Sequence, residues 1–227
     1  MKEEKHEQLV SALCDFDNLC AYKANCDNIK VGLIPTLLGK TLVGLGNLFY
    51  GEKPSYGKFK SIEVIARIPY QSWEVVSYML LTTFYANEDR AIELSKTSHF
   101  GRASQDNETM HVVVMAQLAK KYGQSGFFLH TIIPLVFSFF YFIASIILYL
   151  ISPRSALELN YVFEDHAFHQ YDRFLKENEE HLRKERVSIA FLQFYGRSVK
   201  TEYELFQSIR NDELAHRNRS AERACEL

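Results

Sequence analysis

The sequence predicts an all-α protein organised as a four-helix bundle, on three observations. Glycine and proline are scarce, 10 and 5 in 227 residues, while 47% of the chain is hydrophobic, so long regular elements and a packed core are expected. A Glu and a His stand three residues apart twice, in Asn107-Glu108-Thr109-Met110-His111 and in Asn211-Asp212-Glu213-Leu214-Ala215-His216. That spacing puts both side chains on one helix face. Two further glutamates, Glu63 and Glu164, sit among apolar neighbours, where an ionised carboxylate is costly unless it is paired or bound to metal. Glu, Glu-x-x-His, Glu, Glu-x-x-His on four helices is the ligand set of a di-iron or di-manganese site in a bundle.

Taken in order, residues 1–28 form a polar N-terminal segment with apolar positions enough for a short helix, and 29–227 form a single bundle domain. The first residues, Met1 to Glu7, are acidic and charged, unlike a secretory signal or an Arg-rich transit peptide. Glu3 and His6 repeat the Glu-x-x-His spacing, but read as a chance match in a solvated segment. Cys14, Cys20, Cys26 and Cys225 show no zinc-finger arrangement and read as free thiols of a reducing compartment. Residues 29–50 are apolar apart from Lys30 and Lys40, and are short and Gly-rich for a membrane span. Gly51-Glu52-Lys53-Pro54 breaks that stretch.

A helix from about Tyr56 into the eighties carries Glu63, with Pro69 as its kink point. A polar connector follows, and Ser104 is the N-cap expected for the helix of Glu108 and His111. Residues 127–151 are almost wholly apolar, and length and composition alone would make them a transmembrane helix. Ser152-Pro153-Arg154 turns the chain into a helix of about 155–176 with Glu164. The charge-dense run 177–186 reads as a solvated connector, and the last helix, about 200–225, holds Glu213 and His216. The formal charge of −2 gives no electrostatic ground to expect nucleic acid.

Four carboxylates and two imidazoles suit two irons, with carboxylates able to bridge. Asn107 and Asp212 each precede a candidate ligand Glu and are placed to hydrogen-bond the ligands. Glu108 and Glu164 must meet at one site although 127–151 lies between them. A single crossing would start their helices on opposite sides of a membrane. Two interfacial helices, about 29–50 and 127–151, lying along one leaflet beside the bundle, avoid that conflict. A soluble bundle with a buried central helix is the rival reading, and a true span is the third.

These residues resemble the alternative oxidase family, and most closely its plastid terminal oxidase branch, over roughly 45–220. Ser61-Ile62-Glu63-Val64-Ile65-Ala66-Arg67-Ile68-Pro69-Tyr70 is similar to L-E-T-I-A-R-V-P-Y, and Asn107 to His111 to N-E-x-M-H. Val162-Phe163-Glu164-Asp165-His166-Ala167 with Tyr171-Asp172 is similar to V-E-S-H-A…Y-D, and Ile209 to His216 to I-R-x-D-E-A-x-H. The resemblance implies a ferritin-like di-iron bundle with two monotopic membrane helices. It implies a membrane-bound quinol:oxygen oxidoreductase that reduces dioxygen to water without pumping protons. Carried over by position, Glu63, Glu108, His111, Glu164, Glu213 and His216 would bind two iron ions, and Tyr171 would be the catalytic tyrosine beside them.

Lys58, Ile62 and Ala167 fall where the family lines its quinol pocket; Lys58 replaces an Arg and lacks its planar fork. The interval from Glu63 to Glu108 is longer than usual, which predicts a loop insertion between about 87 and 105. The implied partners are ubiquinol or plastoquinol, dioxygen, a membrane surface and, from the family alone, a second copy of the chain. The implied location is the cytoplasmic or thylakoid membrane of a bacterial-type cell. A di-iron hydroxylase of a quinone precursor or lipid, and a non-enzymatic iron-binding bundle, are the alternatives.

Overall fold

A computed structural model describes residues 3–227; Met1, Lys2 and the side chains of Glu3 and Glu4 lie outside the described residues. The helices are α1 (Glu3–Ala12), α2 (Phe16–Ala24), α3 (Leu33–Tyr50), α4 (Tyr56–Ala66), α5 (Ile68–Phe84) and α6 (Glu88–Lys121). After a π-helical turn (Phe128–Ile132) come α7 (Ile133–Ile151), α8 (Pro153–Lys184), α9 (Ala190–Tyr195) and α10 (Glu202–Glu226). No strand occurs among the described residues; the single β contact is an isolated bridge between Arg186 and Thr201.

Four long rods make the bundle. α8 packs along α10, and α6 packs along both α4 and α5. α4 and α5 are one rod broken at Arg67, where Pro69 can start a helix but cannot continue one. Side-chain caps define the starts: Ser55 accepts from the Lys58 amide, Ser152 from Ser155 and Thr201 from Glu204.

Three expectations about the helices fail for physical reasons. The loop insertion expected at 87–105 is helical, so α6 runs unbroken for 34 residues. Its N-cap is Asn87, whose side chain accepts from the Arg90 amide at 3.0 Å, with Glu88 and Asp89 favourably placed at the positive end of the helix. Ser104, the expected cap, is instead a buried position inside α6. The charge-dense run after 176 is helical as far as Lys184. Pairs one turn apart support it: Arg173–Glu177, Glu179–Arg183 and Glu180–Lys184.

α6 approaches α5 closely because position 101 has no side chain. A Cβ there would lie 2.8 Å from the Tyr70 carbonyl oxygen, a backbone atom that cannot step aside alone. We expect Gly101→Ala to destabilise the fold by about 1–3 kcal/mol in denaturant titration.

The two apolar helices lie on the same bundle. α3 packs on α8, and α7 packs on α5, α4 and α8. α7 turns a narrow stripe inward (Pro134, Ser138, Tyr141, Ser145 and Tyr149), spaced three or four residues apart. Its other faces expose Leu135, Phe139, Phe140, Ile147 and Ile151. Phe128–Ile151 is long and apolar enough to cross a membrane, yet only 17% of its most apolar window is buried by protein, so it is not a core helix. α3 likewise exposes Leu33, Ile34, Leu37 and Leu48.

Aromatic side chains pack on both sides of the bundle's centre. Phe59, Tyr171, Phe174 and Phe206 form one cluster, and Tyr70, Trp73 and Tyr149 another. A third cluster, Leu13 and Leu19 against Phe168 and Leu214, fastens α1 and α2 to α8 and α10.

Candidate metal centre

Each rod contributes to one buried cluster. α4 carries Glu63, α6 carries Glu108 and His111, α8 carries Glu164, and α10 carries Glu213 and His216. The six side chains are between 0% and 2% exposed. They form two overlapping sets, Glu63–Glu108–His111–Glu213 and Glu108–Glu164–Glu213–His216, and within each set one atom per residue lies within 4.8 Å of all the others. Glu108 and Glu213 belong to both sets, as carboxylates shared by two ions would.

His111 Nδ1 is 3.2 Å from Glu213 Oε1 and 3.5 Å from both Glu63 Oε2 and Glu108 Oε2. His216 Nδ1 is 2.8 Å from Glu108 Oε1. Yet Glu63 Oε2, both oxygens of Glu108 and of Glu213, His111 Nδ1 and both nitrogens of His216 make no hydrogen bond. Orphaned buried acceptors are costly, and their convergence is what a cation site requires. Four carboxylates around two imidazole nitrogens fit two divalent metal ions by donor type and by number.

The electrostatics agree. Burial, followed by the charges of Glu108, Glu164 and Glu63, pushes Glu213 well above the usual carboxylate range. Burial raises Glu63 and Glu164 too, with Glu108 adding to both. For Glu108 burial acts upward but is outweighed by His111 and His216, and the result is downward. Burial opposes charging of His111, but Glu108 and the carboxylates of Asp212 and Glu213 raise it well above its ordinary value. In this cluster protons take the place that cations would fill.

The polar surroundings orient the six residues. The Tyr171 hydroxyl donates to Glu63 Oε1, and its ring stacks on Phe59 with centroids 4.1 Å apart. His111 donates through Nε2 to Asp212 Oδ2 at 3.0 Å, which leaves Nδ1 turned to the carboxylates. Arg197 donates to both oxygens of Asp212. Asp212 thus sits where the sequence reading expects it, whereas Asn107 does not. Its amide donates to the Tyr195 hydroxyl at 3.0 Å, so it braces α9 rather than one of the six.

Three residues escape the sequence reading. Tyr70 donates to Glu164 Oε1 at 2.7 Å, and Asn160 donates to the same oxygen at 3.0 Å. Asn160 lies one helical turn before Glu164, a spacing that could have marked it. His6 is the third. The expectation that it is solvated is wrong: the residue is 7% exposed, and its Nε2 donates to Asp212 Oδ1 at 2.8 Å.

Beside the cluster, a slot is walled by α3, α4, α7 and α8. Ile62, Ala167, Phe137 and Tyr141 line it, and Glu63, Glu164 and Tyr171 form part of its wall. Lys58 is there too, buried, with its ammonium facing Asn47 Oδ1 (2.9 Å), the Gly51 carbonyl (2.8 Å) and Gln170 Oε1 (3.3 Å). An apolar groove between α3 and α7 shares Leu42, Phe49, Ile133, Phe137 and Tyr141 with the slot, so the two meet.

Residues 40–224 match the alternative oxidase family. The chain is also similar to the protein named ubiquinol oxidase 4, chloroplastic/chromoplastic, of Arabidopsis thaliana: 28% identical over 182 residues, covering 71% of this chain and 49% of that protein. The chain therefore spans about half the length of the curated relative it matches. The family match runs through all four rods and takes in every residue of the buried cluster, and on that extent the chain belongs to the alternative oxidase family.

Proposed function

We propose that this chain is a membrane-bound quinol:oxygen oxidoreductase that oxidises a quinol and reduces dioxygen to water at a non-haem di-iron centre, without pumping protons. The observation that carries the reading is continuity: an apolar groove between two exposed apolar helices opens into a slot whose wall includes Glu63, Glu164 and Tyr171. A quinol is mostly hydrocarbon with a polar ring, and such a path suits its chemistry. Glu63, Glu108, His111, Glu164, Glu213 and His216 would hold the irons. Bound there, the irons would supply one-electron steps linking a two-electron donor to dioxygen.

The chain's own residues supply the rest. Ile62, Phe137, Tyr141 and Ala167 keep the slot dry, which strengthens every polar contact inside it. Tyr171 faces the slot and bonds Glu63, so its hydroxyl is the group placed to hold or pass a proton between the quinol site and that carboxylate. Lys58 acts chiefly by fixing the turn at Gly51 against Gln170, because its ammonium is already engaged.

α3 and α7 would rest in one membrane leaflet, with the bundle on one side. This makes the protein a monotopic enzyme of a bacterial-type cytoplasmic or thylakoid membrane. The paired substitutions Phe139→Lys and Ile143→Lys place charges on the exposed face of α7. They are expected to move most of the protein from the membrane to the soluble fraction while iron content stays unchanged, read by flotation and metal analysis.

The reaction is tested by its balance. Each quinol yields two electrons and two protons, and water formation takes four of each per dioxygen. Two quinols oxidised per dioxygen, with no peroxide, is the expected result in membranes containing the protein. An oxygenated organic product would favour the hydroxylase, and bound iron with no turnover would favour the iron-binding bundle.

A further inference from the structure

The N-terminal helix reaches the metal centre. α1 lies entirely before residue 40, where the family match begins. Its anchors are specific: Asn211 donates to the Val10 carbonyl at 3.0 Å, Leu13 packs with Leu214, and Glu7 pairs with Arg197 at 2.6 Å. These contacts seat His6 against the helical turn that carries Asp212, Glu213 and His216.

The tautomer of His6 follows from its neighbours. Arg219 Nη2 lies 2.7 Å from His6 Nδ1, and a guanidinium can only donate. His6 Nδ1 therefore accepts and Nε2 carries the hydrogen, which is donated to Asp212 Oδ1 at 2.8 Å. The other oxygen, Asp212 Oδ2, accepts from His111 Nε2 at 3.0 Å. A single network links Arg219, His6, Asp212 and His111, and its donors converge on Asp212: Arg219 donates to His6, His6 to one carboxylate oxygen and His111 to the other. With Nε2 committed to Asp212, His111 turns Nδ1 toward Glu63, Glu108 and Glu213, the side on which a cation would be held. The His6 ring also stacks on His216, with centroids 5.9 Å apart and planes at 11°.

We propose that His6 is a positioning residue of the metal centre. By fixing Asp212 it holds His111 in the orientation that ligates through Nδ1, so α1 forms a permanent part of the site. Metal-bound histidines depend on the partner of their second nitrogen, and losing such a partner typically costs 10–100-fold in metal affinity or activity. This inference rests on the metal-centre reading given above.

The test compares two substitutions that separate hydrogen bonding from packing. His6→Gln keeps an amide donor near the place of Nε2 but loses the ring. His6→Phe keeps a stacking ring but loses the donor. Iron-loaded full-length proteins are exposed to a ferrous chelator and the release rate is followed, with the melting temperature of each variant as a folding control. Release from His6→Phe is expected to be about 10-fold faster than wild type or more, and that from His6→Gln to stay within about threefold. Phe equal to wild type, Phe retaining iron better than Gln, or both failing alike would overturn the proposal. Glu213→Ala is run in parallel. If that protein still loads iron as wild type does, the metal-centre reading fails; if it does not, a normal His6→Phe rejects the role of His6 alone.

Discussion

Glu213→Ala is expected to lose both metals together and to abolish cyanide-resistant, quinol-dependent oxygen uptake, a fall of more than about 100-fold. The size follows from position. Glu213 belongs to both overlapping donor sets, so its loss removes one carboxylate from each. Replacing a residue that merely orients a ligand costs about 10–100-fold, and removing a shared ligand exceeds that. The substitution also leaves His111 Nδ1 without its nearest carboxylate, at 3.2 Å. The helix should survive, since alanine is a strong helix former and Glu213 makes no hydrogen bond that the fold needs. Metal analysis and oxygen uptake check it together. Uptake that persists in the variant would contradict the assignment of Glu213.

Metal removal should convert a nearly pH-independent stability into one that falls as pH rises. Without ions the cluster must hold protons. Burial and mutual repulsion raise Glu63, Glu164 and Glu213, and the surrounding carboxylates raise His111 against the effect of burial. A group whose folded pKa exceeds its unfolded value stabilises the fold at low pH. That stability disappears as pH rises through the folded pKa. All four groups therefore act in the same direction, the carboxylates as pH rises above 4.5 and His111 as it rises above 6.5. Glu108 and Asp212 are shifted downward, so what they contribute is already complete above pH 5. Each excess proton held by the folded apo protein steepens the fall by about 1.4 kcal/mol per pH unit. Melting temperatures of apo and metal-loaded protein between pH 5 and 8 are the check. A stability of the apo protein that rises with pH would contradict the protonated cluster.

Much of this site could be read in advance because it is built from helical spacing. Glu108 with His111, and Glu213 with His216, are paired by the pitch of the helix alone. Glu63 and Glu164 stood out because a carboxylate among apolar neighbours needs a partner. Pro69 marked the break between α4 and α5 for a steric reason that no tertiary contact could override.

What escaped the sequence depended on packing between distant segments. His6 looked solvated because α1 is polar, and its burial arises only when Leu13 and Val10 dock on α10. Tyr70 bonds Glu164 across the bundle, 94 positions away. Asn107 adjoins Glu108 in sequence, yet adjacent residues on a helix face different ways, and its amide meets Tyr195 instead. The run at 87–105 read as a loop because the interval from Glu63 to Glu108 is long and the segment is polar. A helix on the bundle's outer face can be polar when its caps and side-chain pairs support it.

Six residues from four rods are proposed to hold one bridged metal pair. X-ray absorption fine structure on the iron-loaded protein tests it most directly. Oxygen and nitrogen neighbours are expected together with an iron–iron distance of the bridged class, about 3.5–4 Å or shorter. Iron with no second iron in range, at full metal loading, would contradict it.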